Sequence, residues 1–183
     1  MSSLRDGAAA FTEAGISAYI DRTARNVVQY MIEKNLTVSA AESCTGGILS
    51  AAITSVPGAS KIFECGIVSY SERIKEEILG VPAEIIDGYG VVSAQTADAM
   101  AKAVKKLSGS DISVGITGLA GPASPSDALP VGTVYVSTAY KDRIIAENLK
   151  LYELGSFDRG INRLLAAAFA LEALQKRLGL NGN

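Results

Sequence analysis

A serine and a cysteine stand side by side in Ala41-Glu42-Ser43-Cys44-Thr45-Gly46-Gly47, in a chain of 183 residues that contains no histidine. A Ser-His-Asp triad, a Cys-His pair and a His-ligated metal are thereby excluded. If Ser43 is a nucleophile, its base must be a lysine, a carboxylate, a tyrosine or a water. Leu36 to Ala40 reads as a short strand and Gly46 onward as a helix, so the cluster falls on a strand-to-helix turn. Such a turn exposes a side chain at the carboxyl end of a sheet, beside amides that favour negative charge. Gly46 and Gly47 permit close backbone approach, and their amides are expected to be free for an oxyanion or a phosphate. The plainer alternative is that Ser43 or Thr45 only caps the helix. Glu42 is not assigned as the base, because neighbouring side chains on an extended segment point to opposite faces. Cys44 has no activating partner and reads as a buried thiol.

Two further polar turns close apolar runs, Tyr70 to Lys75 and Thr117 to Gly121. In open α/β sheets ligands bind at the carboxyl edge of the strands, so the three turns are expected to converge on one pocket. Lys75 is a candidate base whose alternative is a solvated lysine on a helix that also carries Arg73, Glu76 and Glu77. Lowering a lysine pKa from ~10.4 to ~7 requires about 4–5 kcal/mol of differential destabilisation of the cation. Burial, with Arg159 or Arg163 nearby, would push in that direction. Tyr70 could relay a proton or bond to Ser43, or be a strand-end aromatic. Thr117 could hold the Ser43 hydroxyl or a substrate carboxamide, or merely close a strand. Arg159 and Arg163, four residues apart, share a helix face and could offer guanidinium forks to a phosphate.

The elements that must carry these residues alternate along the chain. Ile16 to Lys34 is an amphipathic helix through Ile20, Val27, Val28, Met31 and Ile32. Val38 to Ala41 is a strand, Gly46 to Val56 a helix stopped by Pro57-Gly58, and Ile62 to Tyr70 a buried strand. Ser71 to Leu79 is a helix ending at Gly80, and Pro82 to Asp87 adds a short helical turn. Ser93 caps a helix from Ala94 to Leu107, with Lys102, Lys105 and Lys106 toward its end. Ile112 to Thr117 is a second buried strand. Val131 to Tyr140 and Asp142 to Tyr152 form a hairpin, and Asp158 starts an alanine-rich helix running to about Leu178. The pattern predicts a single-domain three-layer α/β/α sandwich with a mixed, partly parallel sheet, spanning residues 16–180 after a mobile or loosely helical leader over residues 1–15.

Hydrophobic residues make up 48% of the chain and charged residues 20%, with a formal net charge of −2, which places it among soluble globular proteins. With no basic block to neutralise phosphates in bulk, no nucleic-acid partner is expected. No run approaches ~18 apolar residues, so no membrane span is expected, and nothing at the start resembles a signal peptide. Cys44 and Cys65 make neither a disulfide scaffold nor a zinc site, and a cytoplasmic location is expected.

The turn at Ser43 resembles the signature of the CinA C-terminal domain family, the nicotinamide-nucleotide amidases also called NMN deamidases. Further resemblances follow in order. They are Gly66-Ile67-Val68-Ser69-Tyr70-Ser71 with Lys75, Gly80-Val81, Tyr89-Gly90-Val91-Val92-Ser93, Thr117-Gly118-Leu119-Ala120-Gly121-Pro122, Pro130-Val131-Gly132-Thr133-Val134-Tyr135, and Phe157-Asp158-Arg159 with Arg163. Together they cover roughly residues 17–178. The resemblance implies a metal- and cofactor-independent hydrolysis of nicotinamide mononucleotide to nicotinate mononucleotide and ammonia, recycling pyridine nucleotide, in a homo-oligomer. It implies Ser43 as nucleophile and Lys75 as base, with Tyr70 and Thr117 positioning the reacting groups. Thr45, Gly46, Gly47, Gly118 and Gly121 would line the substrate or oxyanion site, and Arg159 and Arg163 would hold the 5′-phosphate. Two departures stand out. Glu72 replaces the asparagine usual after Tyr-Ser, and Ala123-Ser124-Pro125-Ser126-Asp127-Ala128-Leu129 replaces a glycine-rich stretch, so that loop would be stiffer or gate the site differently. Glu72 favours an alternative, a nucleotide-binding regulatory module without turnover. A phosphoesterase reading lacks a carboxylate cluster for a metal and a Walker lysine, since Ile48 follows Gly46-Gly47.

Overall fold

The computed structural model describes Leu4 and residues 11–124 and 129–180, so most of the expected leader and the middle of the 123–129 loop lie outside the described residues. Five strands form one sheet in the order β2-β1-β3-β4-β5. They are β1 (Val38–Glu42), β2 (Phe63–Val68), β3 (Ile112–Gly118), β4 (Val134–Tyr140) and β5 (Arg143–Asn148). β1 runs parallel to both β2 and β3, and the β3–β4 and β4–β5 pairs are antiparallel. β1 is buried along its whole length and β3 up to its last residue, as their apolar and small residues require, while the edge strand β2 alternates.

Helices α1 (Glu13–Lys34), α2 (Ile48–Thr54) and α6 (Arg159–Leu178) cover one face. Their apolar stripes pack on Val38, Ala40, Ile112, Val114 and Ile116. The opposite face carries α5 (Ala94–Ser108) and, beside it, α4 (Ala83–Tyr89). Here Ala41 packs with Met100, Val104 and Ile86. Between the layers α5 lies very close to β3, because Gly115 has no side chain: a Cβ there would stand 2.3 Å from the Ala97 carbonyl oxygen. Ser113, two residues away on the same face, donates to the Ala101 carbonyl of α5 at 2.7 Å.

The expected three-layer sandwich with a mixed sheet is the one formed; several element ends differ, α1 starting at Glu13 inside the expected leader because the Thr12 side chain caps it, and three others for equally local reasons. α2 starts at Ile48 rather than Gly46, because Gly46 (φ 62°) and Gly47 (φ 98°) both adopt left-handed backbone. β4 starts at Val134 rather than Val131, because Gly132 (φ 92°) and the Thr133 hydroxyl, which donates to the Pro130 carbonyl at 2.7 Å, make a turn first. β5 ends at Asn148, whose side chain accepts from the Lys150 amide at 3.1 Å and leads into a 3-10 turn over Leu151–Glu153.

Candidate active site

The carboxyl ends of β1 and β3 open into a cavity of about 630 Å³. Side-chain alternation decides what enters it. On β1, Glu42 faces α2 and Ser43 turns the other way, toward the short helix α3 (Glu72–Glu77). Ser71 caps α3, its side chain accepting from the Ile74 amide. Lys75 lies one turn along and its side chain runs back toward the helix N-terminus, as helical side chains do. Its Nζ donates to the Ser69 carbonyl at 2.7 Å and lies 3.2 Å from Ser43 Oγ. Lys75 is fully buried, the largest such side chain in the protein among the described residues.

Burial lowers the Lys75 pKa from its ordinary value, and the Glu72 carboxylate and Cys44 act in the opposite direction. The arginines expected to share in that lowering are not among its causes. Glu72 is exposed at the cavity wall and forms no ion pair with Lys75. Burial also pushes the Cys44 thiol up to about 12, so Cys44 stands beside Ser43 as a neutral thiol.

The remaining expected residues divide. Tyr70, Thr117, Gly118, Gly121 and Arg159 line the cavity. Thr117 faces the same side of the sheet as Ser43, but its hydroxyl donates to the Val91 carbonyl at 2.6 Å rather than bonding to Ser43. Tyr70 is not bonded to Ser43 either. Its hydroxyl accepts from Arg159 Nη2 at 2.6 Å, and Arg159 Nη1 donates to the Gly121 carbonyl at 2.6 Å, which ties three walls of the cavity together. Gly118 lies so close to β4 that a Cβ would stand 2.8 Å from the Thr133 carbonyl oxygen.

Thr45, Gly46, Gly47 and Arg163 do not line the cavity. The Gly46 and Gly47 amides, expected to be free, are taken: Gly46 donates to the Ser43 carbonyl at 3.0 Å and Gly47 to Glu42 Oε2 at 3.0 Å. The fully buried Glu42 carboxylate also accepts from the Leu49 amide (3.2 Å), the Ser50 amide (2.8 Å) and the Ser50 hydroxyl (2.6 Å), satisfying the first turn of α2. Arg163, expected to hold phosphate, donates from Nε to the Cys44 carbonyl at 3.1 Å and from Nη2 to the Thr45 carbonyl at 2.9 Å. Thr45 is buried and its hydroxyl has no partner among the described residues. One supporting residue escaped the sequence reading: Asn162, buried on α6, donates to the Ala120 and Phe157 carbonyls, both at 3.2 Å, and so fixes the turn after β3. An amide interrupting the apolar face that continues through Leu165 and Ala166 was the available signal.

Comparison with known proteins agrees with this architecture. The CinA C-terminal domain model matches residues 20–178. A CinA-like protein of Dictyoglomus thermophilum is 42% identical over 152 residues, 83% of this chain and 36% of that protein. The chain spans between 27% and 39% of the curated relatives it matches. Among solved structures, a competence/damage inducible protein of Agrobacterium tumefaciens superposes with a TM-score of 0.82 at 34% identity, covering 90% of this chain and 96% of the other. A competence-damaged protein (CinA) superfamily member of Escherichia coli gives 0.80 at 30% identity, covering 87% and 90%. Sequence, sheet order and the turn at Ser43 thus lead to one assignment: the chain belongs to the CinA C-terminal domain family.

Proposed function

We propose that this domain is a nicotinamide-nucleotide amidase that hydrolyses nicotinamide mononucleotide to nicotinate mononucleotide and ammonia through a Ser43–Lys75 pair. The observation that carries the reading is a fully buried lysine, free of any ion pair among the described residues, with its nitrogen 3.2 Å from a serine hydroxyl at a strand-end turn. Burial favours the neutral amine, which accepts the Ser43 proton as Oγ attacks the carboxamide carbon. The ammonium then returns that proton to the nitrogen as the C–N bond breaks and ammonia leaves. Water, deprotonated by the same amine, attacks the acyl-serine, and the proton goes back to Ser43 as nicotinate mononucleotide departs. In this reading Arg159, which lines the cavity, takes the 5′-phosphate, exchanging its contacts with Tyr70 and Gly121 for charge-assisted bonds. A cavity of about 630 Å³ is in the range that encloses small molecules.

The test is ammonia release from nicotinamide mononucleotide by the purified chain. Turnover in wild type and its loss in Ser43→Ala and Lys75→Met is expected; Ser43→Ala turning over like wild type overturns the assignment. The second reading, a nucleotide-binding module without turnover, draws on the Glu72 charge, which favours the protonated lysine. It predicts nucleotide binding with no ammonia from wild type at any pH.

A further inference from the structure

Arg163 does something other than bind substrate. The amides from Gly46 to Ser50 and the Cys44 and Thr45 carbonyls are all tied down. Glu42 takes the amides of Gly47, Leu49 and Ser50 from the α2 side, and Ser43 and Thr45 carbonyls take those of Gly46 and Ile48. Arg163 takes the Cys44 and Thr45 carbonyls from the α6 side. The guanidinium lies against Gly46, where an added Cβ would stand 2.9 Å from Nη2 and push it from its carbonyls, and the left-handed backbone there favours glycine as well. Two amides of the turn, those of Cys44 and Thr45, donate to no oxygen among the described residues; their acceptor is the sulfur of Cys44, a weak acceptor on a residue that lines the cavity. In a trans peptide the carbonyl and the amide of one unit point in opposite directions. A carbonyl of Cys44 drawn to Arg163 therefore aims the Thr45 amide away from Arg163.

We infer that Arg163 is a positioning residue: by holding the Cys44 carbonyl it orients the peptide unit that carries the Thr45 amide, and so presents that amide as a donor for the oxyanion formed when Ser43 is acylated. Donors fixed before the reaction are the ones that favour a developing oxyanion, and the amide following a nucleophile is well placed for it. The inference rests on the Ser43–Lys75 reading above and replaces a phosphate role for Arg163 with an orienting one.

The test compares wild type, Arg163→Ala and Arg163→Lys on nicotinamide mononucleotide and on nicotinamide riboside, which lacks the phosphate. Arg163→Ala should lose about a hundredfold in kcat, the cost of a misplaced reacting group, by the same factor on both substrates and with KM within about threefold. Arg163→Lys keeps a cation but loses the fork and should fall between; it carries the comparison if Arg163→Ala does not fold. Added guanidinium ion should restore part of the Arg163→Ala rate. A loss confined to the mononucleotide and expressed as raised KM would overturn the inference in favour of phosphate binding, as would wild-type kcat. Modification of Ser43 by phenylmethanesulfonyl fluoride, located by mass spectrometry, separates the two readings. If wild type is labelled but releases no ammonia, the amidase reading fails, and the inference stands only if Arg163→Ala is labelled at least about tenfold more slowly. If wild type is neither labelled nor active, both fall.

Discussion

Replacing Glu42 with glutamine tests whether the turn at Ser43 is held by an ionised carboxylate. The side chain keeps its shape but exchanges one acceptor oxygen for an NH₂ group. Its better orientation keeps the carbonyl oxygen on the Gly47 and Leu49 amides and turns the NH₂ toward Ser50, whose hydroxyl can reverse and accept. The Ser50 amide, which the carboxylate accepts at 2.8 Å, then faces a donor and is left unpaired. An unpaired buried group costs about 1–3 kcal/mol, and two bonds that drop from charge-assisted to neutral lose about 1 kcal/mol each. Relief of the desolvation of a buried carboxylate that has no cation beside it offsets part of this. The net expectation is a loss of about 1–3 kcal/mol, which for a domain of this size lowers Tm by about 2–12 °C. Urea denaturation and a thermal melt at pH 7 measure it. A Glu42→Gln protein as stable as wild type, or more stable, would show that the α2 amides do not depend on the charge and would refute the reasoning.

Further outcomes follow from other contacts. Arg159→Ala should raise KM for nicotinamide mononucleotide by about tenfold, as loss of a charge-assisted bond implies, and leave KM for the riboside unchanged; equal effects on both would place the phosphate elsewhere. Glu72→Asn removes a charge that raises the Lys75 pKa, so the rising limb of the pH–rate profile should move to lower pH, and an unmoved limb would show that Glu72 does not act on the base. The same depressed pKa gives a stability signature: unfolded Lys75 binds its proton more tightly than folded Lys75. Stability therefore rises as pH climbs from the lowered folded value toward ~10.4, and pH-dependent melts of Lys75→Met should lack that rise. Gly115→Ala should cost about 3 kcal/mol or more, because its Cβ would meet Ala97 and Ala101 backbone atoms at 2.3 and 2.6 Å, neither of which can swing aside; a Tm within about 2 °C of wild type would contradict the packing of α5 on β3.

What the sequence disclosed and what it withheld have separate physical origins. The strands β1 and β3 were legible because a strand buried on both faces must be a short apolar or small-residue run, and α5 because Ser93 caps it, its side chain accepting from the Thr96 amide at 3.1 Å. Histidine's absence narrowed the bases that could serve Ser43, and the resemblance pointed to Lys75, but its burial depends on how α3 docks, which no local pattern encodes. Arg159 and Arg163 show the limit of helical spacing. Residues four apart share a face, yet one turn of rise and some 40° of rotation are enough to send one to the cavity and the other to backbone carbonyls. Gly46 and Gly47 suggest a turn open to close backbone approach, yet their amides are committed. The competing acceptor was the Glu42 carboxylate, reaching across from the strand, and a buried acceptor cannot be inferred from glycines alone.

The reversal between β3 and β4 has a consequence for how this cavity can be varied. The loop that leaves β3 is pinched shut at its base: the Leu119 amide donates to the Thr133 carbonyl at 2.8 Å, and the Gly132 amide donates back to the Leu119 carbonyl at 2.7 Å. Residues beyond that clasp can change in number without moving Thr117 or Gly118, because closure entropy grows slowly with loop length, by about 0.6 kcal/mol per doubling. The rim around Ala123 is thus an interchangeable part mounted on a fixed frame. Lengthening or grafting it offers a route to a different substrate fit that leaves the serine, the lysine and their spacing untouched.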